Sequence, residues 1–226
     1  MGLTAIAINC SLKHKAGEPS STDKMIELLA GEMAKHEVQF TETIRIVDHK
    51  VLPGVSSDEG EDDAWPAIRR RILEHDILIF GTPIWLGQMS SLAQRVLERM
   101  DAFLGETDER GRMPSYGKVA VAAIVGNEDG AHHVTATLFQ ALNDEGWTIP
   151  AGAACYWVGE AMHKTDFKDL PSAPDTVVQA AKMLASNAAH LVSLLKMQPY
   201  PGEAAKHAKK NDDENRAGGF STGVGQ

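Results

Sequence analysis

Apolar positions along this chain follow two rhythms, short near-continuous runs and longer stretches where they return every three or four residues. Thr4 to Asn9, Val38 to Val47, Ile77 to Phe80, Lys118 to Val125 and Ile149 to Trp157 are the short runs, expected as strands. Lys118 to Val125 is nearly all apolar, as in a strand covered on both faces. Between them, Met25, Leu28, Leu29 and Met33, then Trp65, Ile68, Ile72 and Leu73, fall at helical spacing. So do Leu92, Val96, Met100, Phe103 and Leu104, the stretch from Ala131 to Glu145, and Val177 through Leu195. Strands alternating with helices in this way predict an α/β fold. It would have three layers around a doubly wound, five-stranded parallel sheet, with right-handed crossovers and the loops after the strands gathered along one edge.

Local signals refine the boundaries. Ser20, Ser21 and Thr22 can each cap the first helix, and Ser91 followed by Gln94 reads as a capping box on the third. The acidic, glycine-containing segment from Asp48 to Asp63 reads as a long surface loop. From Pro199 onward the chain is polar, charged and glycine-rich. The expected organisation is a domain over residues 1–198 and a mobile tail over 199–226, an arm onto a partner subunit being the alternative reading of the tail.

Composition narrows the function classes. Lys182, Asn187 and His190 interrupt the last helix, and no apolar run approaches the ~18 residues a membrane span needs, so membrane insertion is not expected. The opening MGLTAIAIN enters a strand without a basic region or a cleavage-like site, so a cytoplasmic location is expected. Lys and Arg number 22 against 31 Asp and Glu, a formal charge of −9, which argues against a nucleic-acid partner. Cys10 and Cys155 are too few for a disulfide framework, a structural zinc site or a four-cysteine cluster, and read as reduced thiols. The run Asp58 to Asp63 lacks the ligand spacing of a hard-cation site, so no metal is expected.

The loop after the first strand restricts the ligand. No glycine lies between Gly2 and Gly17, so neither a G-x-G-x-x-G fingerprint nor a P-loop is present. Cys10 stands where the small tyrosine phosphatases place a nucleophile, but the arginine they need six positions later is Ala16. What the loop offers is Ser11, Lys13, Ser20, Ser21 and Thr22 converging on a helix N-terminus, where free amides and the helix dipole favour an anion such as a phosphate monoester. The plainer alternative is that Ser21 and Thr22 only cap the helix and Ser11 only closes a turn, and Glu18 opposes an anion unless it points away.

The stretch from Asp76 to Ser91 carries the most specific signal. After its apolar strand, TPIWLGQMSS resembles the flavin-contacting loop of the flavodoxin-like NAD(P)H-dependent FMN reductases and NAD(P)H:quinone reductases. Carried over by position, the resemblance implies ring contacts from Thr82, Pro83, Ile84, Trp85 and Met89. An aromatic or methionine platform suits a planar ring, although Trp85 could also be an ordinary half-buried loop tryptophan. GNEDGAHH after the fourth strand resembles the family's third flavin loop, which implies contacts from Gly126, Asn127, Glu128, Asp129 and Gly130. His132 and His133 open a helix, where the dipole disfavours a charged imidazole; His133 is carried forward as a site residue, with solvated surface histidines as the alternative. The first loop departs from the family pattern, with Asn9, Cys10 and Ser11 in place of Gly-Ser and Lys13 in place of an arginine.

The resemblance implies a flavodoxin-like sheet of strand order 2-1-3-4-5, FMN as cofactor, and NADPH or NADH as co-substrate. It further implies a quinone or similar small-molecule electron acceptor and a homodimeric or homotetrameric enzyme. No protein acid or base would be obligatory, because the flavin carries the hydride chemistry. Two other readings stay open on the residues: a flavodoxin-type electron carrier without its own turnover, and a doubly wound phosphoester- or nucleotide-binding protein without flavin.

Overall fold

A computed structural model of the chain describes residues 2–14, 19–161 and 163–203. The strands are β1 (Leu3–Asn9), β2 (Val38–Arg45), β3 (Ile77–Trp85), β4 (Gln88–Met89), β5 (Val119–Gly126) and β6 (Ala154–Val158). The α-helices are α1 (Ser21–Ala34), α2 (Trp65–Leu73), α3 (Ser91–Met100), α4 (Ala131–Asp144) and α5 (Asp175–Met197). The parallel strands run β2-β1-β3-β5-β6, and β4 pairs antiparallel with the end of β3. The expected order of five parallel strands therefore holds, with the two-residue β4 inserted into the count. Strand alternation sorts the core into two layers. Ile6 and Ile8 of β1 face the side covered by α2, α3 and α4, while Ala5 and Ala7 face α1 and α5. The second layer is rich in alanine, Ala123 against Ala181, Ala185 and Ala188 among others, which lets α5 lie close to the sheet.

Three boundaries differ from the sequence expectation. Strand β3 continues five residues past Phe80, through Pro83. Gly81 O points at β1, where it accepts from Cys10 N at 2.8 Å, so Pro83 faces the same side, beyond the last β1 residue paired with β3. No ladder bond is lost there. Strand β6 begins at Ala154 rather than Ile149, because Pro150 and Gly152, the latter at φ +67°, turn the chain and leave only a bridge from Thr148 to Val119. The cap of α3 is Ser90, not Ser91: its Oγ accepts from Ala93 N at 3.1 Å and donates to Cys10 O at 2.6 Å, while Gln94 donates to Glu98 at 3.2 Å. A true capping box forms instead on α1, between Ser20 and Asp23.

The acidic segment before α2 is anchored rather than loose. Arg99 of α3 and Asp63 are both fully buried and bonded at 2.6 Å, and Arg99 also donates to Ser56 O at 3.0 Å and Leu52 O at 2.9 Å. Asp63 in turn accepts from Trp65 N at 3.1 Å, which fixes the start of α2. Burial works to raise the Asp63 carboxyl, but bonds from Arg99 and from the Glu59, Trp65 and Leu52 amides outweigh it and hold it below the ordinary range. At the other end, Tyr200 packs edge-on against Tyr116 at 5.7 Å and accepts from the Thr148 hydroxyl at 3.1 Å. The tail expected to be mobile lies, from residue 204 onward, outside the described residues. Among the described residues no helix is long and apolar enough to cross a membrane.

Two outcomes follow from this packing. Arg99→Ala leaves Asp63 buried and unpaired and is expected to cost about 3–5 kcal/mol in urea-unfolding free energy. Glu145, at the end of α4, is buried with Oε2 unpartnered; burial first, then Asp101 and Asp144, push its carboxyl up to about 9 from 4.5. Folding therefore takes up a proton, and that contribution is complete below the unfolded value and lost as pH rises through about 9. Urea melts at about pH 5 and about pH 9 should show Glu145→Gln gaining stability relative to wild type as pH rises.

Candidate functional site

The carboxyl ends of β1, β3, β5 and β6 open onto a cavity of about 670 Å³. Its floor and walls come from Ser11, Leu12 and Lys13, the α1 start at Ser20 to Thr22, and Pro83 to Leu86. Val125 to Glu128 and a loop after β6 complete it.

At the first loop, Asn9 at the end of β1 donates to Asp23 Oδ1 at 2.6 Å and to Ser20 Oγ at 3.2 Å, and its Oδ1 accepts from Ser11 N at 2.8 Å. Ser20 N donates to Asp23 Oδ2 at 2.7 Å, closing the capping box. Arg45, from β2, pairs with Asp23 and donates to Lys13 O at 3.1 Å. Asp23 is thus neutralised from three elements, and its charge does not oppose an anion at the helix end. The cap satisfies Asp23 N, and the Ser21 and Thr22 amides, in the first turn, have no intrahelical partner. Ser11 Oγ is buried and has no partner among the described residues.

The second loop is a two-residue hairpin. Trp85 pairs with Gln88, and Leu86 (φ +52°) and Gly87 (φ +73°) occupy the turn, the left-handed pair of a type I′ turn. Trp85 is 54% exposed and lines the cavity together with Ile84. In the third loop Gly126 is required by close approach, since a Cβ there would stand 2.8 Å from Ile84 Cβ. Asn127 donates to Asp166 Oδ1 at 2.7 Å and buries an Oδ1 that has no partner among the described residues, while Glu128 Oε1 accepts from Leu86 N at 2.5 Å.

Of the residues singled out from the sequence, Ser11, Lys13, Ser20, Ser21, Thr22, Pro83, Ile84, Trp85, Gly126, Asn127 and Glu128 line the cavity. The others do not line it. Thr82 is buried, donating to Pro83 O at 3.0 Å and accepting from Ser90 N at 3.2 Å. Met89 packs on the α3 and α4 side, Asp129 accepts from Gly130 N at 2.7 Å, and His133 Nε2 meets Gln88 Oε1 at 2.8 Å. Gly130 itself abuts Gly87. His132 pairs with the Tyr156 hydroxyl at 2.9 Å. Sequence reasoning missed Leu12, Leu86, Val125 and the whole wall made by the end of β6 and the loop after it: Trp157, Ala161, His163 and Asp166. The available signal was topological, because the loop after the fifth parallel strand must reach the same edge as the others.

Neither thiol is placed for chemistry. Burial alone raises Cys10 far above the thiol range and Cys155 to about 12, and Cys155 Sγ donates to Val177 O at 3.6 Å. Among the described residues no three His, Cys, Asp or Glu gather as metal ligands.

An open parallel sheet whose first helix can take a phosphate, beside a slot walled by tryptophan, defines a flavodoxin-like α/β protein that binds a flavin phosphate. The chain belongs to the NADPH-dependent FMN reductase family, whose profile matches residues 3–162. Membership implies FMN as the flavin and NAD(P)H as the reductant. The residues present fit FMN: the unpartnered Ser11 hydroxyl and the α1 amides suit its phosphate, and the Trp85 and Trp157 walls suit its ring.

Two curated relatives are similar. A protein of Mycobacterium bovis (strain ATCC BAA-935 / AF2122/97) named divalent metal cation transporter MntH is 42% identical over 164 residues, 71% of this chain. The match spans only 24% of that relative's own length. The 8-demethyl-8-aminoriboflavin-5'-phosphate synthase of Streptomyces davaonensis (strain DSM 101723 / JCM 4913 / KCC S-0913 / 768) is 31% identical, covering 95% of this chain and 88% of that one. Among solved structures, RosB with bound 8-demethyl-8-formylriboflavin-5'-phosphate superposes with a TM-score of 0.78 at 26% identity, covering 99% of this chain and 91% of that one.

Trp85→Ala should weaken FMN binding by roughly tenfold or more, the worth of a stacked aromatic, while leaving the urea midpoint unchanged. Flavin-fluorescence titration measures the first and an unfolding curve the second.

Proposed function

We propose that the protein is an FMN-dependent oxidoreductase that takes electrons from NADPH or NADH and passes them to a quinone or similar small-molecule acceptor. The observation that carries this reading is the single cavity in which a phosphate-competent helix start, Trp85 and Trp157 converge. Bound FMN supplies the two-electron chemistry. The chain's own residues do the holding. Ser11, Lys13 and the Ser20–Thr22 turn take the phosphate, with Arg45 cancelling Asp23 behind them. Trp85 and Trp157, on strands that flank β5, bound the ring slot and keep water from its faces. Turn amides at Gly126 to Glu128, whose residues line the slot, are dipoles that can meet negative charge developing on the ring. Exposed Leu12 and Leu86 make the rim apolar, which favours a flat apolar acceptor such as a quinone. With both thiols buried and protonated, the reading needs no protein nucleophile. It takes residues 1–198 as the flavin domain of a cytoplasmic homodimer or homotetramer.

A second reading is that a flavin phosphate is the substrate rather than the cofactor. It is supported by the Streptomyces relative, whose name gives a modified riboflavin phosphate as its product and which matches 95% of this chain.

One experiment separates these readings: anaerobic NADPH is added to the FMN-loaded protein, a quinone follows, and the flavin is recovered for mass analysis. Bleaching, repeated turnover and FMN of unchanged mass are expected. Flavin of altered mass would favour the second reading, and absence of any reaction with NADPH would leave an electron carrier. A protein that binds no FMN would overturn all three.

A further inference from the structure

The cavity has one wall that is fixed and one that must be held. Trp157 is fixed, because Phe167 backs its ring at 5.6 Å and Gly159 lies so near that a Cβ would come within 2.5 Å of the indole. Trp85 stands beyond Pro83, the last β3 residue paired with β5, and the hairpin carrying it exposes 88% of Leu86 at its tip. A leucine at φ +52° keeps that conformation only where its surroundings impose it.

Three contacts impose it, two with the loop between β5 and α4 and one with the first turn of α4. Glu128 Oε1 accepts from Leu86 N at 2.5 Å. Gly130, at φ +133°, abuts Gly87 so closely that a Cβ would meet its Cα and O at 2.8 Å. Gln88 Oε1 and His133 Nε2 lie 2.8 Å apart. Only the first grips the residue next to Trp85, and it does so with a side chain that itself lines the cavity.

We propose that Glu128 is a positioning residue of the flavin site: by holding the Leu86 amide it clamps the hairpin and sets the Trp85 indole at the spacing from Trp157 that a flat tricyclic ring requires. This rests on the FMN-binding reading above. Glu128 acts here through its oxygen as an acceptor, so a glutamine oxygen can replace it. A role through charge on the ring would not tolerate that exchange.

The test compares FMN dissociation constants, by flavin-fluorescence quenching, for wild type, Glu128→Ala, Glu128→Gln, Trp85→Ala and the Glu128→Ala/Trp85→Ala double variant. Glu128→Ala should weaken binding about tenfold, the loss expected of one hydrogen bond, and Glu128→Gln should stay within about threefold of wild type. In the Trp85→Ala background Glu128→Ala should have no further effect, because its influence passes through the indole. Acrylamide quenching of flavin-free protein, with Trp85→Phe subtracted to isolate Trp85, should rise in Glu128→Ala and not in Glu128→Gln. Additive losses in the double variant, a Glu128→Gln as weak as Glu128→Ala, or an unchanged Trp85 signal in Glu128→Ala would each overturn the clamp. If wild type binds no FMN, the flavin reading falls, and the Trp85 quenching still decides the clamp.

Discussion

The Asp23 carboxylate is the point at which sheet, helix and site meet. It is nearly buried on the first turn of α1, and it receives bonds from Asn9 of β1, from the backbone amide of the capping residue Ser20, and from Arg45 of β2. A carboxylate there is favoured by the helix dipole, but uncompensated it would repel the anion the same dipole attracts. Arg45 resolves the conflict. The cation belongs to the neighbouring strand, so the helix end keeps its amides free while the charge beside them is cancelled. That is how a chain of net charge −9 can still present a phosphate-competent pocket: the neutralisation is local.

Around that centre, rigidity is unevenly distributed. The loop before α2 is tied to α3 by a fully buried Arg99–Asp63 pair, with two backbone carbonyls accepting from Nε and Nη1 of the same guanidinium. The loop after β6 is stiffened by Trp157 on Phe167 and by Asn127 on Asp166. The β3–β4 hairpin reaches the core at its base, through Ile84 and Met89, while its tip depends on its neighbour across the cavity edge. The substrate-facing wall is therefore the least self-supporting, as suits a surface that must meet a cofactor on one side and solvent on the other.

Much of this architecture was legible in the residues. Near-continuous apolar runs such as Val119 to Val125 can only be strands covered on both faces, and the three- and four-residue spacing in α5 can only face a core. The hydroxyls at Ser20 to Thr22 and the Pro-Ile-Trp stretch pointed to the edge where the cavity opens, because turn chemistry and aromatic side chains act locally. The end of β3 was not legible: a proline reads as a strand breaker until it is known that β1 has already ended beside it. Nor was the cap of α3, since Ser90 and Ser91 are chemically alike and only the position of Cys10 O selects the first.

By itself the sequence determined the fold class, the sheet edge on which the cavity opens, and most of the side chains lining it. Those properties depend on periodicity and on residue chemistry within a few positions. The tertiary structure alone decided which residues act together. Arg45 lies 22 positions from Asp23, Glu128 lies 42 from Leu86, and Asp166 lies 39 from Asn127. It also placed Thr82, Met89, Asp129, Gly130 and His133 outside the cavity lining. The reason is that a hydrogen bond across the sheet edge depends on distances set by strand register and helix packing, and one-dimensional spacing carries no record of them.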